Sequence, residues 1–216
     1  MKAAIIGATG LVGQQLLAQL LESGTYSEVH AIGRREIAFS HPCLVQHVIS
    51  LDALGKLQLG TDIDHAYCTL GTTIKQARSP HAFQRVDRDY VCVFGKLMKQ
   101  AGASCMGVNS SIGANTNTRN LYLRTKGEME QCLRDLQFEK LVIVRPSLLV
   151  PTGRRELRLG EIIAYNLFRI LGWSLVGPLH RYRPVTPGRV AQTLYRKAQG
   201  PGTGVMLVES DAINTG

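Results

Sequence analysis

The sequence predicts an α/β fold in which a doubly wound parallel sheet carries helices on both faces. Short apolar runs alternate with amphipathic helical stretches from the first residues onward. Such alternation is typical of parallel strands joined by helical crossovers. The chain has 216 residues, of which 44% are hydrophobic and 19% charged, and this balance suits one domain with a full core.

The predicted strands share a content of Val, Ile, Leu and Cys that fits burial on both faces of the sheet. They are residues 2–6, 28–32, 43–49, 65–69, 104–109, 140–145 and 204–209. The predicted helices carry apolar residues at three- and four-residue spacing. They are residues 11–22, 80–101, 121–136, 160–171 and 187–199. Pro80 and Pro187 each begin a helix, where a missing N–H costs little. Asp87 falls on the longest helix, where we expect a solvated or capping role.

The strand and helix pattern loosens after Arg145-Pro146, where glycines and prolines interrupt it before the last helix and strand. We interpret residues 151–186 as a small substrate lobe over the sheet edge. The whole chain, residues 1–216, is then a single domain.

Composition argues against several classes of protein. The first residues reach glycine too early for a signal peptide, and no apolar run approaches the roughly 18 residues of a membrane span, so we expect a cytoplasmic location and no membrane partner. Five widely spaced cysteines without a C-x-x-C pair, and six histidines without ligand spacing, indicate free thiols and no metal. The net charge of +9 suits an anionic cofactor. Nucleic acid is disfavoured because the basic residues are dispersed and aromatics are only 6%.

A glycine-rich turn joins the first strand to the first helix. Gly7 permits a tight turn, Gly10 lets phosphates approach the backbone, and Gly13 allows close contact of helix and strand. Backbone amides at the helix start point at whatever occupies the turn. The order of strand, turn and helix indicates a Rossmann fold that binds a dinucleotide. The predicted contacts in the turn are Gly7, Thr9, Gly10, Leu11, Val12 and Gly13.

Two arginines follow the second predicted strand, at the place where NAD-specific folds carry an Asp or Glu for the ribose hydroxyls. Arg34 and Arg35 cannot accept those hydrogen bonds, but a guanidinium binds a 2′-phosphate through paired, charge-assisted bonds. The arginines therefore favour NADP(H) over NAD(H). The alternative is a solvated pair on a surface turn, and the nearby Glu36 leaves that choice open.

Further cofactor contacts are expected where the fourth strand ends, because ligands of open α/β sheets bind at the carboxyl edge. Gly71 would let the backbone pass close to the cofactor. The segment consists of Leu70, Gly71, Thr72 and Thr73.

A candidate catalytic group lies on the fifth strand and the helix that follows it. Tyr122 and Lys126 are four residues apart and share a helix face, and Ser110 and Ser111 end the preceding strand. A serine hydroxyl can hydrogen-bond a carbonyl that receives hydride, while tyrosine delivers the proton. Lysine would support the tyrosine anion. Either serine could take the first role.

These motifs together resemble the atypical, extended-like short-chain dehydrogenase/reductases, in the group that includes the Tat-interacting protein. The resemblance also covers segments 86–90, 121–128, 145–146 and 160–161. It implies that Ser111 or Ser110 polarises the substrate carbonyl, that Tyr122 protonates it, and that Lys126 binds the nicotinamide ribose. It also implies a homodimer through the long helices, and it places three residues beside the nicotinamide: Pro146, Ser147 and Leu148.

The sequence therefore predicts an NADP(H)-dependent oxidoreductase acting on a small carbonyl or alcohol substrate. A second hypothesis is a regulator that binds NADP(H), senses its redox state and acts through a protein partner with little or no turnover. Tyr122 and Lys126 favour the enzyme, since a sensor needs neither.

Overall fold

The computed structural model of the chain describes residues 1–60, 62–150 and 183–215. The predicted lobe, apart from its last four residues, and the predicted helix 160–171 lie outside the described residues.

In the described part of the chain, parallel strands form one sheet with the order β3-β2-β1-β4-β5-β6-β7. The strands are β1 (Lys2–Ile6), β2 (Glu28–Gly33), β3 (Leu44–Val48), β4 (His65–Cys68), β5 (Cys105–Asn109), β6 (Lys140–Arg145) and β7 (Gly204–Glu209). The chain runs outward from β1 to β3 and then returns to place β4 beside β1. The strand order therefore reverses between β1 and β4, and ligands of open α/β sheets bind at such a point. The predicted doubly wound parallel sheet is confirmed.

Helices cover both faces of this sheet. They are α1 (Leu11–Glu22), α2 (Ile74–Ala77), α3 (Pro80–Gln84), α4 (Tyr90–Gln100), α5 (Leu121–Asp135), α6 (Pro187–Gln199) and α7 (Ser210–Thr215), with a 3₁₀ segment at Leu51–Lys56. Buried leucines of α1 and α6 form the core on one face, as Leu16 and Leu194 illustrate. Phe94 and Met98 of α4 pack with Met129 of α5 on the other.

The long predicted helix 80–101 is continuous, but it is not uniform. A π-helical turn at Arg85–Asp89 joins α3 to α4. A π turn inserts one residue into the helical repeat and rotates the side chains that follow, and such turns are frequent at functional sites. Asp87 lies within this turn and is 1% exposed.

One cysteine pair departs from the expected free thiols. Cys92 of α4 and Cys132 of α5 are joined as a disulfide, with their Cα atoms 6.1 Å apart. The other three cysteines, Cys43, Cys68 and Cys105, are free.

Candidate cofactor and catalytic site

The glycine turn closes tightly against the end of β1. The N–H of Gly10 donates to the carbonyl of Gly7 over 3.0 Å, and Gly7 has a φ of +87°, which favours glycine. A Cβ atom on Gly13 would lie 2.1 Å from the Gly7 oxygen, so no larger residue fits there. Leu11 is exposed and Val12 is buried beneath it.

The start of α1 is open to an anion. Within the described residues, α1 has no side-chain cap at Gly10, so its first amides lack the acceptor that such a cap supplies. Amides at a helix N-terminus attract negative charge. The tight glycine turn from Gly7 to Gly13, together with this uncapped helix end, fits the pyrophosphate of a dinucleotide.

The segment after β4 lies directly against the glycine turn. A Cβ on Gly7 would be 2.7 Å from the backbone nitrogen of Leu70, and the Thr69 hydroxyl donates to the Ile6 carbonyl over 3.1 Å. The structure therefore brings two predicted cofactor segments together. Thr73 caps α2 by accepting a hydrogen bond from the N–H of Gln76.

A cavity, called here the edge cavity, opens at the carboxyl ends of β1, β2 and β3. Its walls include Gly7, Thr9 and Leu70, and also Arg34 and Arg35, which are exposed on its rim. The arginine pair thus shares one cavity with the glycine turn. The wall also includes residues that the sequence did not single out, among them Gln46, His47, Val48 and Leu51.

Lys126 forms a buried ion pair with Asp87, and this corrects the solvated or capping role expected for Asp87. The Lys126 Nζ atom lies 2.7 Å from Asp87 Oδ1, and the side chains are 4% and 1% exposed. The other carboxylate oxygen accepts the Thr72 N–H over 2.8 Å. Burial by itself lowers the pKa of Lys126, but Asp87 and Tyr122 raise it more, so its pKa lies above the ordinary value. The lysine is therefore a fixed positive charge.

This ion pair lies beside Gly71. A Cβ on Gly71 would be 3.5 Å from Asp87 Oδ1 and 3.8 Å from Lys126 Nζ. The Lys126 ammonium consequently lies beside the segment where cofactor contacts were predicted.

Tyr122 lies in the first turn of α5, which Asn120 caps by accepting the Leu123 N–H over 3.1 Å. Its ring stacks on the buried ring of Phe83, with centroids 5.6 Å apart and planes 28° apart. The π turn and α3 thus provide both the neighbour of the Tyr122 ring and the partner of Lys126.

The two candidate serines have different surroundings. Ser110 is buried, and its hydroxyl donates to Glu130 Oε1 over 2.5 Å. The same carboxylate receives two hydrogen bonds from Arg145, of 2.9 and 2.6 Å. Ser111 is half-buried, and among the described residues its hydroxyl makes only one hydrogen bond, a long one of 3.4 Å to the Ile112 carbonyl. Ser110 is thus committed to a charged network, whereas Ser111 has capacity left for a ligand.

The loop between Ser111 and Tyr122 is held at several points. The Ile112 N–H donates to the Pro146 carbonyl over 2.9 Å, and Arg145 donates to the Ala114 carbonyl over 3.2 Å. A Cβ on Gly127 would be 2.5 Å from the loop backbone, so the loop lies flat on α5. These contacts fix the spacing between the serine and the tyrosine.

The segment predicted to lie beside the nicotinamide is anchored to the last part of the chain. The Ser147 N–H donates to Ser210 Oγ over 3.2 Å, and the Ser147 hydroxyl donates to the Arg183 carbonyl over 2.5 Å. Leu148 is 42% exposed. Its apolar side chain is therefore available to a ligand.

Comparison with known proteins identifies the family. No protein-family model matches the chain. It is 34% identical over 216 residues to Protein HTATIP2 of Rattus norvegicus, covering 97% of this chain and 86% of the relative. The chain belongs to the HTATIP2-like short-chain dehydrogenase/reductases. This HTATIP2-like chain is also 31% identical over 211 residues to Protein FMP52, mitochondrial, of Debaryomyces hansenii, covering 94% of the chain and 90% of the relative.

A solved structure supports the fold of this HTATIP2-like chain. The human epimerase family protein SDR39U1, determined with NADPH, has a TM-score of 0.66 at 17% identity, covering 97% of this chain and 74% of that one. The predicted NAD(P)-binding Rossmann family is confirmed. The expected cytoplasmic location is wrong, because several curated relatives are named mitochondrial.

Within the ranges that the structure describes, no helix is both long and apolar enough to cross a bilayer. Over the same residues, no group of three or more His, Cys, Asp or Glu side chains could hold a metal ion.

Proposed function

We propose that the chain is an NADP(H)-dependent oxidoreductase that interconverts a small carbonyl compound and its alcohol. The observation that carries this proposal is the buried Lys126 ammonium, which Asp87 holds beside Gly71 and close enough to Tyr122 for the phenol to influence its pKa. A fold that only binds a dinucleotide has no need to bury a charge pair there, because burying two charges costs several kcal/mol per ion.

The dinucleotide would be held by the glycine turn and the open end of α1, with Arg34 and Arg35 at the far side of the edge cavity. The exposed guanidinium groups suit a 2′-phosphate, which is the basis for proposing NADP(H). Solved structures of the same fold were determined with NADPH in one case and NAD in others, so the preference rests on the arginines. When bound, the nicotinamide supplies or accepts the hydride.

The side chains of this chain would manage the substrate oxygen. Ser111 donates a hydrogen bond to the carbonyl oxygen, and the Tyr122 hydroxyl gives it a proton as hydride arrives. The Lys126 ammonium then stabilises the Tyr122 phenolate that remains. Oxidation of the alcohol runs through the same groups in reverse.

Asp87 acts in this scheme as a positioning residue. Burial alone would drive Lys126 toward its neutral form, and the carboxylate keeps the ammonium charged and directed at Gly71. Ser110 would hold the end of β5 through Glu130 rather than touch the substrate.

The proposal is tested by following NADPH oxidation against a panel of aldehydes, ketones and quinones. Tyr122→Phe should abolish turnover while leaving NADPH binding unchanged. Tyr195→Phe is the matched control, because that phenol hydrogen-bonds Thr25 over 3.1 Å, outside the site, and it should keep full activity.

The alternative function, a regulator that binds NADP(H) without turnover, uses the same cofactor cradle. It would be favoured if the chain bound NADPH but reduced no member of the panel. Equal activity of Tyr122→Phe and the unmodified protein would refute the catalytic assignment.

A further inference from the structure

Two histidines and a carboxylate form a hydrogen-bonded chain along one face of the sheet. Glu28 Oε2 lies 3.0 Å from His30 Nε2 on β2, and His30 Nδ1 lies 3.0 Å from His47 Nε2 on β3. The two imidazole rings stack, with centroids 5.2 Å apart and planes 12° apart. Parallel pairing of β2 and β3 places His47 opposite Ile32. Ile32 immediately precedes Gly33, which is followed by the arginine pair.

This hydrogen-bonded row of side chains ends at the edge cavity. His47 is part of the wall that also contains Gly7, Thr9, Arg34 and Arg35. The cofactor proposed above would therefore place its adenosine end against both the arginines and an imidazole.

The hydrogen bonds limit which nitrogen atoms of the histidines can take a proton. The Glu28 carboxylate can only accept, so His30 Nε2 carries a hydrogen atom. The bond between His30 Nδ1 and His47 Nε2 needs one donor, and when His47 is that donor its Nδ1 atom is left as the proton acceptor. In the part of the chain that the structure describes, His30 is the only hydrogen-bond partner of the His47 ring.

The charge around the pair favours a neutral His47 before ligand binds. Burial, and then the charge of His30, lower the pKa of His47 below its ordinary value. Lys2 of β1 is bound to Glu28 at 3.3 Å and to Asp62 at 2.6 Å. The adjacent 3₁₀ segment Leu51–Lys56 contributes Lys56 and also Asp52, which is paired with Arg85 at 2.5 Å.

We propose that His47 binds the 2′-phosphate of NADP(H) as a proton donor, so that this cofactor binds together with a proton and NAD(H) does not. A phosphate in the edge cavity adds negative charge next to a neutral imidazole, and protonation of Nδ1 turns an acceptor into a charged donor. Glu28 supports the charge through His30. The inference rests on the proposed cofactor and extends it from the arginines to a residue that takes up a proton.

The expected size follows from linkage. One proton taken up on binding strengthens affinity by up to about tenfold for each unit of pH decrease, between the His47 pKa values of the free and bound protein. The 2′-phosphate has its own second pKa of about 6, and the arginines favour its dianion, so binding to them releases protons. The contribution of the imidazole is therefore obtained by comparing proton uptake in the unmodified protein with proton uptake in a variant that lacks His47.

The experiment is calorimetric titration of NADP⁺ and NAD⁺ into the full chain, in two buffers of the same pH and different ionisation enthalpy. The dependence of the heat on buffer gives the protons exchanged. His47→Gln removes the titrating group and keeps a polar side chain, and His47→Asn provides a second variant in case the first does not fold. His81→Gln is the matched control, because His81 is exposed on α3.

We expect the unmodified protein to take up more protons with NADP⁺ than His47→Gln does, by up to one, while NAD⁺ shows no difference and His81→Gln behaves as the unmodified protein. Affinity for NADP⁺ should fall more steeply with rising pH in the unmodified protein. Equal proton exchange in both proteins, with NADP⁺ binding intact, would overturn the role of His47 and leave the proposed cofactor standing. Failure of both dinucleotides to bind would overturn the proposed function, and this inference with it.

Discussion

The buried ion pair between Asp87 and Lys126 leads to a prediction in which the effects on unfolding free energy and on kcat can be measured separately. Asp87→Asn leaves the ammonium buried without its counter-charge. Removing one partner of a buried pair costs about 3–5 kcal/mol of the free energy of unfolding, and burial would then lower the pKa of Lys126. We expect the variant to lose about 3 kcal/mol of stability and about 100-fold in kcat, a size typical of a lost acid–base function.

The double variant Asp87→Asn/Lys126→Met shows whether the pair is the cause. With neither charge present, the penalty for an unpaired ion disappears, and unfolding free energy should return to within about 1 kcal/mol of the unmodified protein. Activity should not return, because the ammonium is gone. The assays are urea unfolding followed by fluorescence, and NADPH oxidation at saturating substrate.

A surface pair provides the control. Arg88 and Glu128 lie 2.7 Å apart, but both side chains are 32% exposed, so Glu128→Gln should cost no more than about 1 kcal/mol. If Asp87→Asn is as mild as Glu128→Gln, or if the two substitutions in the buried pair are additive, the reasoning is refuted.

Three further predictions concern the serines, the glycine turn and a buried histidine. Ser111→Ala should lower kcat about 100-fold with little change in stability, whereas Ser110→Ala should cost about 2 kcal/mol of stability through the lost hydrogen bond to a carboxylate. Steady-state kinetics and urea unfolding of both variants test this assignment, and the reverse pattern would exchange the roles of the two serines. Gly13→Ala should abolish NADPH binding measured by fluorescence, because its Cβ would lie 2.1 Å from a carbonyl oxygen, while Gly188→Ala, with no atom closer than 3.9 Å, should bind normally. Burial lowers the pKa of His65, so the unfolded state binds a proton more readily than the folded state. Stability should therefore be lost as pH falls below about 6.5, by up to about 1.4 kcal/mol per pH unit. Urea unfolding midpoints between pH 5 and 8 test this, and the same dependence of stability on pH in His65→Gln would contradict it.

The proposed cofactor half of the site could be predicted because its signals are local in sequence. Gly7 has a positive φ in the turn, Gly13 is required by the close approach of the Gly7 carbonyl, and Arg34 follows directly from the end of β2. Such constraints act on neighbouring residues, so the residue types alone disclose them.

The catalytic half depends on contacts between distant residues and was predicted only in part. Tyr122 and Lys126 share a helix face, which spacing shows. Asp87 was expected to be solvated because burying a carboxylate is costly, and no local pattern in the sequence indicates that Lys126 of α5 pairs with it. The bond from Ser110 to Glu130 joins β5 to α5 across 20 positions, and no local pattern distinguishes the two serines.

The separation of these two halves along the chain has an evolutionary consequence. The glycine turn and the Arg34 region come from the first half of the chain, whereas Tyr122 is carried by α5 and oriented by Phe83. Under the proposed function, a single substitution at position 122 would therefore remove the chemistry and leave the proposed nucleotide-binding residues in place. A protein with this architecture could therefore lose catalytic turnover through one mutation and still bind the cofactor. Every intermediate in that evolutionary change would remain folded.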